Sequence, residues 1–176
     1  NKNLSILKKS NFDYQISSAS LPNFLRKHLS DFNKTPNQFL TANEELKNKI
    51  KNQIKIEKDK KIVGISWTSF NSALKYFKNI DLKQLGLIFK NLNISLINLQ
   101  YGDVEKEINE FINETKIPII NLKTINIKED LDAFVSLIDL CDLVISTDNI
   151  TIRLSGSINK ETWVMLPYVP QFFYLL

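Results

Sequence analysis

The sequence predicts an α/β domain, a parallel sheet with helices packed on both of its faces. Three observations carry this expectation. From Ile62 onward, short apolar runs of strand length alternate with amphipathic segments of helical period. The runs are rich in β-branched residues and too continuous for a sheet with one wet face, so each reads as buried on both sides. Carboxylates stand at or near the starts of the intervening segments, where they cap free amides and complement the helix dipole.

Residues 1–40 carry short mixed segments, with Leu21-Pro22 and Thr35-Pro36 as breakers, and read as loops and a short helix. Thr41-Ala42-Asn43-Glu44 has the form of a capping box, and Leu46, Ile50 and Ile54 follow at helical spacing, predicting a helix over about residues 42–55. Lys58-Asp59-Lys60-Lys61 forms a polar connector. The strand candidates are Ile62–Trp67, Ile94–Leu99, Ile117–Ile120, Leu143–Ser146 and Thr162–Leu166. Between them lie three helical stripes, Leu82/Leu85/Phe89/Leu92, Val104/Ile108/Phe111/Ile112 and Leu131/Phe134/Val135/Ile138. Asp81, Asp103 and Glu129-Asp130 mark their starts. The order is therefore β-α-β-α-β-α-β-α-β, with no internal repeat or low-complexity segment.

With 176 residues, 43% of them hydrophobic, the chain is long enough for one well-buried core. It opens on Asn1 rather than Met and closes on the apolar Phe172-Phe173-Tyr174-Leu175-Leu176, so a piece of a longer protein is expected. No apolar run reaches the roughly 18 to 20 residues of a membrane span, and no signal-peptide pattern is present, which points to a soluble, cytoplasmic protein. The formal charge of +4 is local: seven lysines between Lys47 and Lys61 face only Glu57 and Asp59, a net of +5 that leaves the rest of the chain at −1. A solvated helix face explains this better than a phosphate-tracking patch, because no arginine and aromatic interleaving accompanies it, and no nucleic-acid partner is expected. Cys141 lies in an apolar stretch and reads as a small core residue rather than a reactive thiol. His28 is the sole histidine and reads as a surface residue, so a Cys/His metal centre is excluded by count.

In an open α/β sheet, ligands bind beyond the carboxyl ends of the strands, near the point where strand order reverses. After the first strand comes Trp67-Thr68-Ser69-Phe70-Asn71-Ser72, a polar loop without the glycines of a dinucleotide fingerprint or the lysine of a phosphate loop. After the second comes Gln100-Tyr101-Gly102-Asp103, where Gln100 either offers a donor and an acceptor to a base or sugar or hydrogen-bonds local backbone. The fourth strand gives the strongest local signal, Ser146-Thr147-Asp148-Asn149-Ile150-Thr151-Ile152-Arg153, which delivers hydroxyls, a carboxylate and an amide to a helix start, an anion site by construction. Asp148 or Asn149 either contacts a ligand or caps the helix; Arg153 either reaches a phosphate or pairs with a nearby carboxylate.

Taken in order, Ile62-Val63-Gly64-Ile65-Ser66-Trp67, Ile97-Asn98-Leu99-Gln100-Tyr101-Gly102, Leu140 through Asp148, Leu154-Ser155-Gly156-Ser157 and Trp163-Val164-Met165-Leu166-Pro167-Tyr168 resemble the heptosyltransferase-like glycosyltransferases. These are glycosyltransferase family nine and its bacterial relatives, often fused to tetratricopeptide repeats. The resemblance covers roughly residues 60–170, and Ser20-Leu21-Pro22 resembles the segment preceding this half in the repeat-containing relatives. It implies the C-terminal, Rossmann-like domain of a GT-B fold, with residues 1–57 as the tail of the N-terminal acceptor domain and a connecting helix, and residues 58–176 as the nucleotide-sugar-binding domain, truncated at its end. It further implies donor contacts at Trp67, Thr68, Gln100, Thr147, Asp148, Asn149 and Arg153. Two departures stand out: Arg153 occupies the place of the family's usual histidine, and Asn149 that of a frequent Thr or Ser.

The activity so implied is transfer of a sugar, with inversion, from a nucleoside-diphosphate donor to a hydroxyl of a glycan, lipid or protein acceptor. No cofactor or metal is expected, and peripheral contact with a membrane is compatible with a lipid acceptor. The family's acidic base belongs to the other domain, so no catalytic residue is assigned, and residues 1–176 alone are expected to be inactive. The alternatives are a non-catalytic nucleotide-sugar or protein-binding module with a degenerate site, and another Rossmann-like sugar-nucleotide enzyme such as an epimerase.

Overall fold

The computed structural model describes residues 13–34, 36–57, 59–69 and 79–168. They fall into two compact units that divide between Pro36 and Asn37. In the first, Pro22 opens helix α1 (Pro22–Leu25) at its first turn, where the missing N–H has no intrahelical partner to lose. The Leu21-Pro22 pair therefore starts a helix as well as breaking a segment. Turns of 3-10 helix at Ser18–Ser20 and Leu29–Lys34 flank it. The Asp31 carboxylate accepts the Lys27 and His28 N–H groups, both at 3.1 Å. His28 is exposed, as expected.

The second unit holds the sheet. Its elements are α2 (Glu44–Gln53), β1 (Lys61–Ser66), α3 (Leu82–Gly86, continued by a 3-10 turn at Leu87–Phe89), β2 (Ile94–Asn98), α4 (Glu105–Thr115), β3 (Ile119–Ile120), α5 (Leu131–Asp139), β4 (Leu143–Thr147), α6 (Ile150–Ser157) and β5 (Thr162–Met165). All pairings are parallel and the spatial order is β3-β2-β1-β4-β5. The expected α/β, Rossmann-like architecture is the one observed.

Alternation along the strands explains why helices cover both faces. Val63, Ile65, Leu96 and Ile145 point to one side, where Leu82, Leu85, Phe89, Ile108 and Phe111 bury against them. Ile97, Leu99 and Val144 point to the other, against Ala42, Ile50, Ile54, Phe134, Leu137 and Ile138. Helix α2 thus belongs to the core of the second unit. Gly64 is required by this packing: a Cβ there would lie 2.4 Å from Leu99 Cδ1 and 2.9 Å from Cys141 Sγ. Cys141 is buried beneath it, and burial pushes its thiol up to about 12.

Several expected boundaries move, each for a local reason. Helix α2 runs over 44–53 and its cap is Asn43 rather than Thr41, with Asn43 Oδ1 accepting Leu46 N–H at 3.1 Å. Asp81 and Asp130 cap α3 and α5, but α4 starts from Val104 without a side-chain cap, so Asp103 does not play that part. Strand β3 shrinks to two residues. Lys116 leaves α4 in the left-handed region (φ 62°), Ile117 N–H turns back to Thr115 Oγ1, and Pro118 has no N–H to offer a ladder. Among the described residues strand β5 is an edge, and Trp163 and Val164 are 59% and 37% exposed rather than buried on both faces.

Much of the local positive charge is answered by carboxylates: Lys47 by Glu44 and Asp139, Lys49 by Glu45, Lys60 by Glu57, and Lys61 by Asp142. Burial would raise the Asp139 carboxyl, but Lys47 and Lys160 outweigh it and hold it below the ordinary value. Among the described residues no helix is long and apolar enough to cross a membrane.

Candidate functional site at the reversal of strand order

From β1 the chain proceeds through β2 to β3 on one side, then returns to place β4 and β5 on the other. The order reverses between β1 and β4, where Ser66 is in register with Ser146. The loops that follow these two strands therefore leave the sheet side by side, which is where such sheets hold ligands.

A chain of buried polar side chains runs across this carboxyl edge. Asn98 Nδ2 donates to Asn121 Oδ1 at 3.0 Å, and Asn98 Oδ1 accepts Gln100 N–H at 2.8 Å. Gln100 Oε1 then accepts three donors: the Ser66 hydroxyl (2.9 Å), Trp67 N–H (3.0 Å) and Thr68 N–H (2.9 Å). Its Nε2 donates to Tyr101 O at 3.2 Å. Ser66 Oγ in turn accepts Asn149 Nδ2 at 2.7 Å, and the same Nδ2 lies 3.2 Å from Thr68 O. Asn149 Oδ1 accepts Thr151 N–H at 2.9 Å, making Asn149 the cap of α6, and lies 3.2 Å from Ser146 Oγ.

The polarity of this chain is forced. Because Asn149 Oδ1 faces an amide N–H, its Nδ2 must face Ser66, so the Ser66 hydroxyl must give its proton to Gln100. Gln100 resolves as a residue bonded to backbone: its oxygen is engaged three times within the protein. Asn149 has both polar atoms engaged as well.

The remaining candidates gather at the corner between β4 and α6. Thr147 and Asp148 are buried, and Arg153 Nη2 stands 3.7 Å from Asp148 Oδ1 with the arginine side chain 52% exposed. Asp148 does not cap the helix. Thr147 Oγ1 and Thr151 Oγ1 are buried without a hydrogen-bond partner, the two such side-chain atoms among the described residues.

Trp67 is not a surface platform. It is 1% exposed, and its Nε1–H donates to Glu107 Oε1 at 2.8 Å. Thr68 beside it is half-buried and lines a cavity of about 510 Å³ bordered by Asn79, Asp81, Lys83, Asp103, Glu107 and Glu110. Burial is the main cause that raises the Glu107 carboxyl above its ordinary value. A second cavity of about 210 Å³ opens beyond β2 and β3, lined by Gln100, Tyr101, Gly102, Asn121 and Lys123 among others. Gly102 makes the turn there at φ 94°. Among the described residues no group of three or more His, Cys, Asp and Glu side chains is placed to hold a metal ion.

The structure thus ties Trp67, Thr68, Gln100 and Asn149 together by hydrogen bonds and sets Thr147, Asp148 and Arg153 at the adjoining corner. Phe70, Asn71 and Ser72 of the expected loop lie outside the described residues. The sequence reading missed Ser66, Asn98, Asn121 and Glu107. For Ser66 and Asn98 a signal existed: each is a polar residue at or near the carboxyl end of an apolar run.

Fold and edge together define a Rossmann-like α/β unit with a network of buried polar side chains across the carboxyl edge at its switch point. The comparisons narrow the fold further. No protein-family model matches the chain. Protein FlbA of Caulobacter vibrioides is 30% identical over 106 residues, which span 58% of this chain and 17% of FlbA. Among solved structures, the ADP-heptose lps heptosyltransferase II of E. coli aligns with a TM-score of 0.55 at 16% identity, over 80% of this chain and 43% of that one. A glycosyl transferase of family 9 from Veillonella parvula aligns with a TM-score of 0.59 at 13% identity, over 77% of this chain and 39% of that one. The chain therefore has the fold of part of a glycosyltransferase, and it spans about two-fifths of each of these enzymes and about a sixth of FlbA.

Proposed function

We propose that the second unit is the donor-binding, C-terminal half of a GT-B glycosyltransferase, and that residues before it are the tail of an acceptor-binding half. A nucleoside-diphosphate sugar lies across the carboxyl edge, with its diphosphate against the amino end of α6 and Arg153. Thr68, Thr147 and Asp148 border the donor, while Trp67, Gln100 and Asn149 hold the loops that do so. The sugar passes, with inversion, to an acceptor hydroxyl on a glycan, lipid or protein, and a base from the other half takes the hydroxyl proton. Helix amides and the guanidinium stabilise the departing diphosphate, a task that needs cationic and N–H groups but no metal. Arg153 remains charged at every relevant pH, so it can replace a histidine in that task.

The observation that carries this reading is the register of Ser66 against Ser146 where strand order reverses, which brings Thr68 beside Asn149 at the start of α6. The internal engagement of Gln100 and Asn149 favours a second reading, a module that binds a nucleotide sugar without transferring it. The test is calorimetric titration of the chain with ADP, UDP and their sugar conjugates at low and high salt. Binding is expected, and Arg153→Ala should weaken it by about threefold to thirtyfold at low salt and by less at high salt. Absence of binding at millimolar nucleotide, or equal affinity in the variant, refutes the site. Sugar transfer by the full-length protein, or its absence despite binding, separates the two readings.

A further inference from the structure

We infer that Glu107 is a positioning residue for the nucleotide site: its carboxylate fixes the Trp67 indole and, through it, Thr68. The inference rests on the donor-site reading above. Trp67 is the first residue beyond β1 and is packed among Leu82, Leu85, Val104 and Phe111. Its side chain has one polar atom, a donor only, and the acceptor it meets is Glu107 Oε1 at 2.8 Å. Its backbone N–H goes to Gln100 Oε1, and its carbonyl accepts Ile80 N–H at 3.0 Å. The residue is thus pinned from three directions, and Thr68, the next residue along the chain, follows its pose.

Of those three holds, Glu107 is the only charged one, and it borders the cavity that Thr68 also lines. The other charged groups around that cavity are Asp81 and Lys83 from the start of α3, Asp103 from the turn before α4, and Glu110 one turn along α4. Lys83 donates to Glu114 at 2.6 Å, so its ammonium is engaged away from Glu107. Burial, reinforced by Asp81 and Glu110 and opposed by the Trp67 bond, keeps the Glu107 carboxyl above its ordinary value. As pH falls through that raised value the Trp67 bond therefore passes from charge-assisted to neutral, and a neutral acceptor holds less firmly.

Loosening the indole lowers the population of the binding-competent pose of Thr68, and apparent affinity falls by that fraction. Glu107→Leu should weaken ADP or UDP binding by about threefold to tenfold, while Glu107→Gln, which keeps an acceptor oxygen, should stay within about twofold of the starting protein. Trp163 is exposed, so a Trp163→Phe background leaves Trp67 as the sole tryptophan, excited selectively at the red edge of the absorption band. In that background Trp67 emission should shift in Glu107→Leu, and it should titrate with pH in the parent but not in Glu107→Gln. Should Glu107→Leu fail to fold, Trp67→Phe deletes the N–H from the other side and should reproduce the affinity loss. Unchanged affinity in both Glu107→Leu and Trp67→Phe overturns the inference. If the parent binds neither nucleotide, the donor-site reading fails on its own, and Trp67 emission decides the hold of Glu107: no shift and no titration sink it.

Discussion

Replacing Gln100 with methionine keeps the volume of the side chain and removes its acceptor, which isolates the polar role of this residue. Three donors converge on Gln100 Oε1, and two of them, the Ser66 hydroxyl and Trp67 N–H, belong to fully buried residues. The Ser66 hydroxyl cannot simply turn round, because Asn149 Nδ2 occupies its acceptor side at 2.7 Å. A buried donor left without an acceptor costs about 1–3 kcal/mol, and the third donor, on half-buried Thr68, can turn to water. Gln100→Met should therefore destabilise the protein by about 2–6 kcal/mol, a large share of the about 5–15 kcal/mol available to a domain. Urea denaturation followed by circular dichroism measures this as a lower midpoint with an unchanged slope. Gln100→Glu keeps the acceptor but buries a charge and sets a second oxygen against Tyr101 O, so at neutral pH it should also be less stable than the parent. A methionine variant within about 0.5 kcal/mol of the parent would falsify the view that this oxygen holds Trp67 and Thr68.

Asn149→Asp supplies a sharper comparison, since asparagine and aspartate cap helices about equally well. Here Nδ2 also serves Ser66 Oγ and Thr68 O, so the change should cost about 1–3 kcal/mol in thermal denaturation; a neutral outcome would reduce Asn149 to a simple cap. Acid sensitivity should follow Asp139 and Asp142, whose carboxyls are held below the ordinary value of 3.8, Asp142 chiefly by Ile62 N–H and Lys61. Their contribution to stability is complete above that value and is lost as pH falls through the lower folded values. Denaturation midpoints between pH 2 and 7 should therefore show a flatter acid limb in Asp142→Asn than in the parent. An unchanged limb excludes Asp142.

The parallel sheet was legible because its strands carry their burial in their own residues: Ile62–Ile65, Ile94–Ile97 and Leu143–Ile145 need two apolar faces wherever they lie. The exposure of Trp163 was not legible, since the run Thr162–Leu166 has the same apolar character as a central strand. Only its place at the edge, set by what pairs beyond it, leaves it open. Helix caps were read correctly where a carboxylate had no competitor, as at Asp81 and Asp130, and misread at Thr41, where Asn43 two residues on captured the amide. The candidate residues were chosen by type and by position after each strand. Their partners were not, because Gln100, Ser66 and Asn149 are 34 to 83 residues apart and meet only through the registers of β1 with β2 and β4.

The placement of Cys141 gives the protein a built-in timer. Its sulfur packs against Gly64 in the middle of the central strand, hydrogen-bonds Leu137 O at 3.5 Å, and stays protonated with its thiol pushed up to about 12. No alkylating reagent can reach it until the corner between α5 and β4 parts from β1. Since the sequence contains one cysteine, every labelled molecule records one opening of that seam. The labelling rate, followed with and without nucleotide, counts how often the centre of the sheet breathes, and its dependence on denaturant tells local parting from global unfolding.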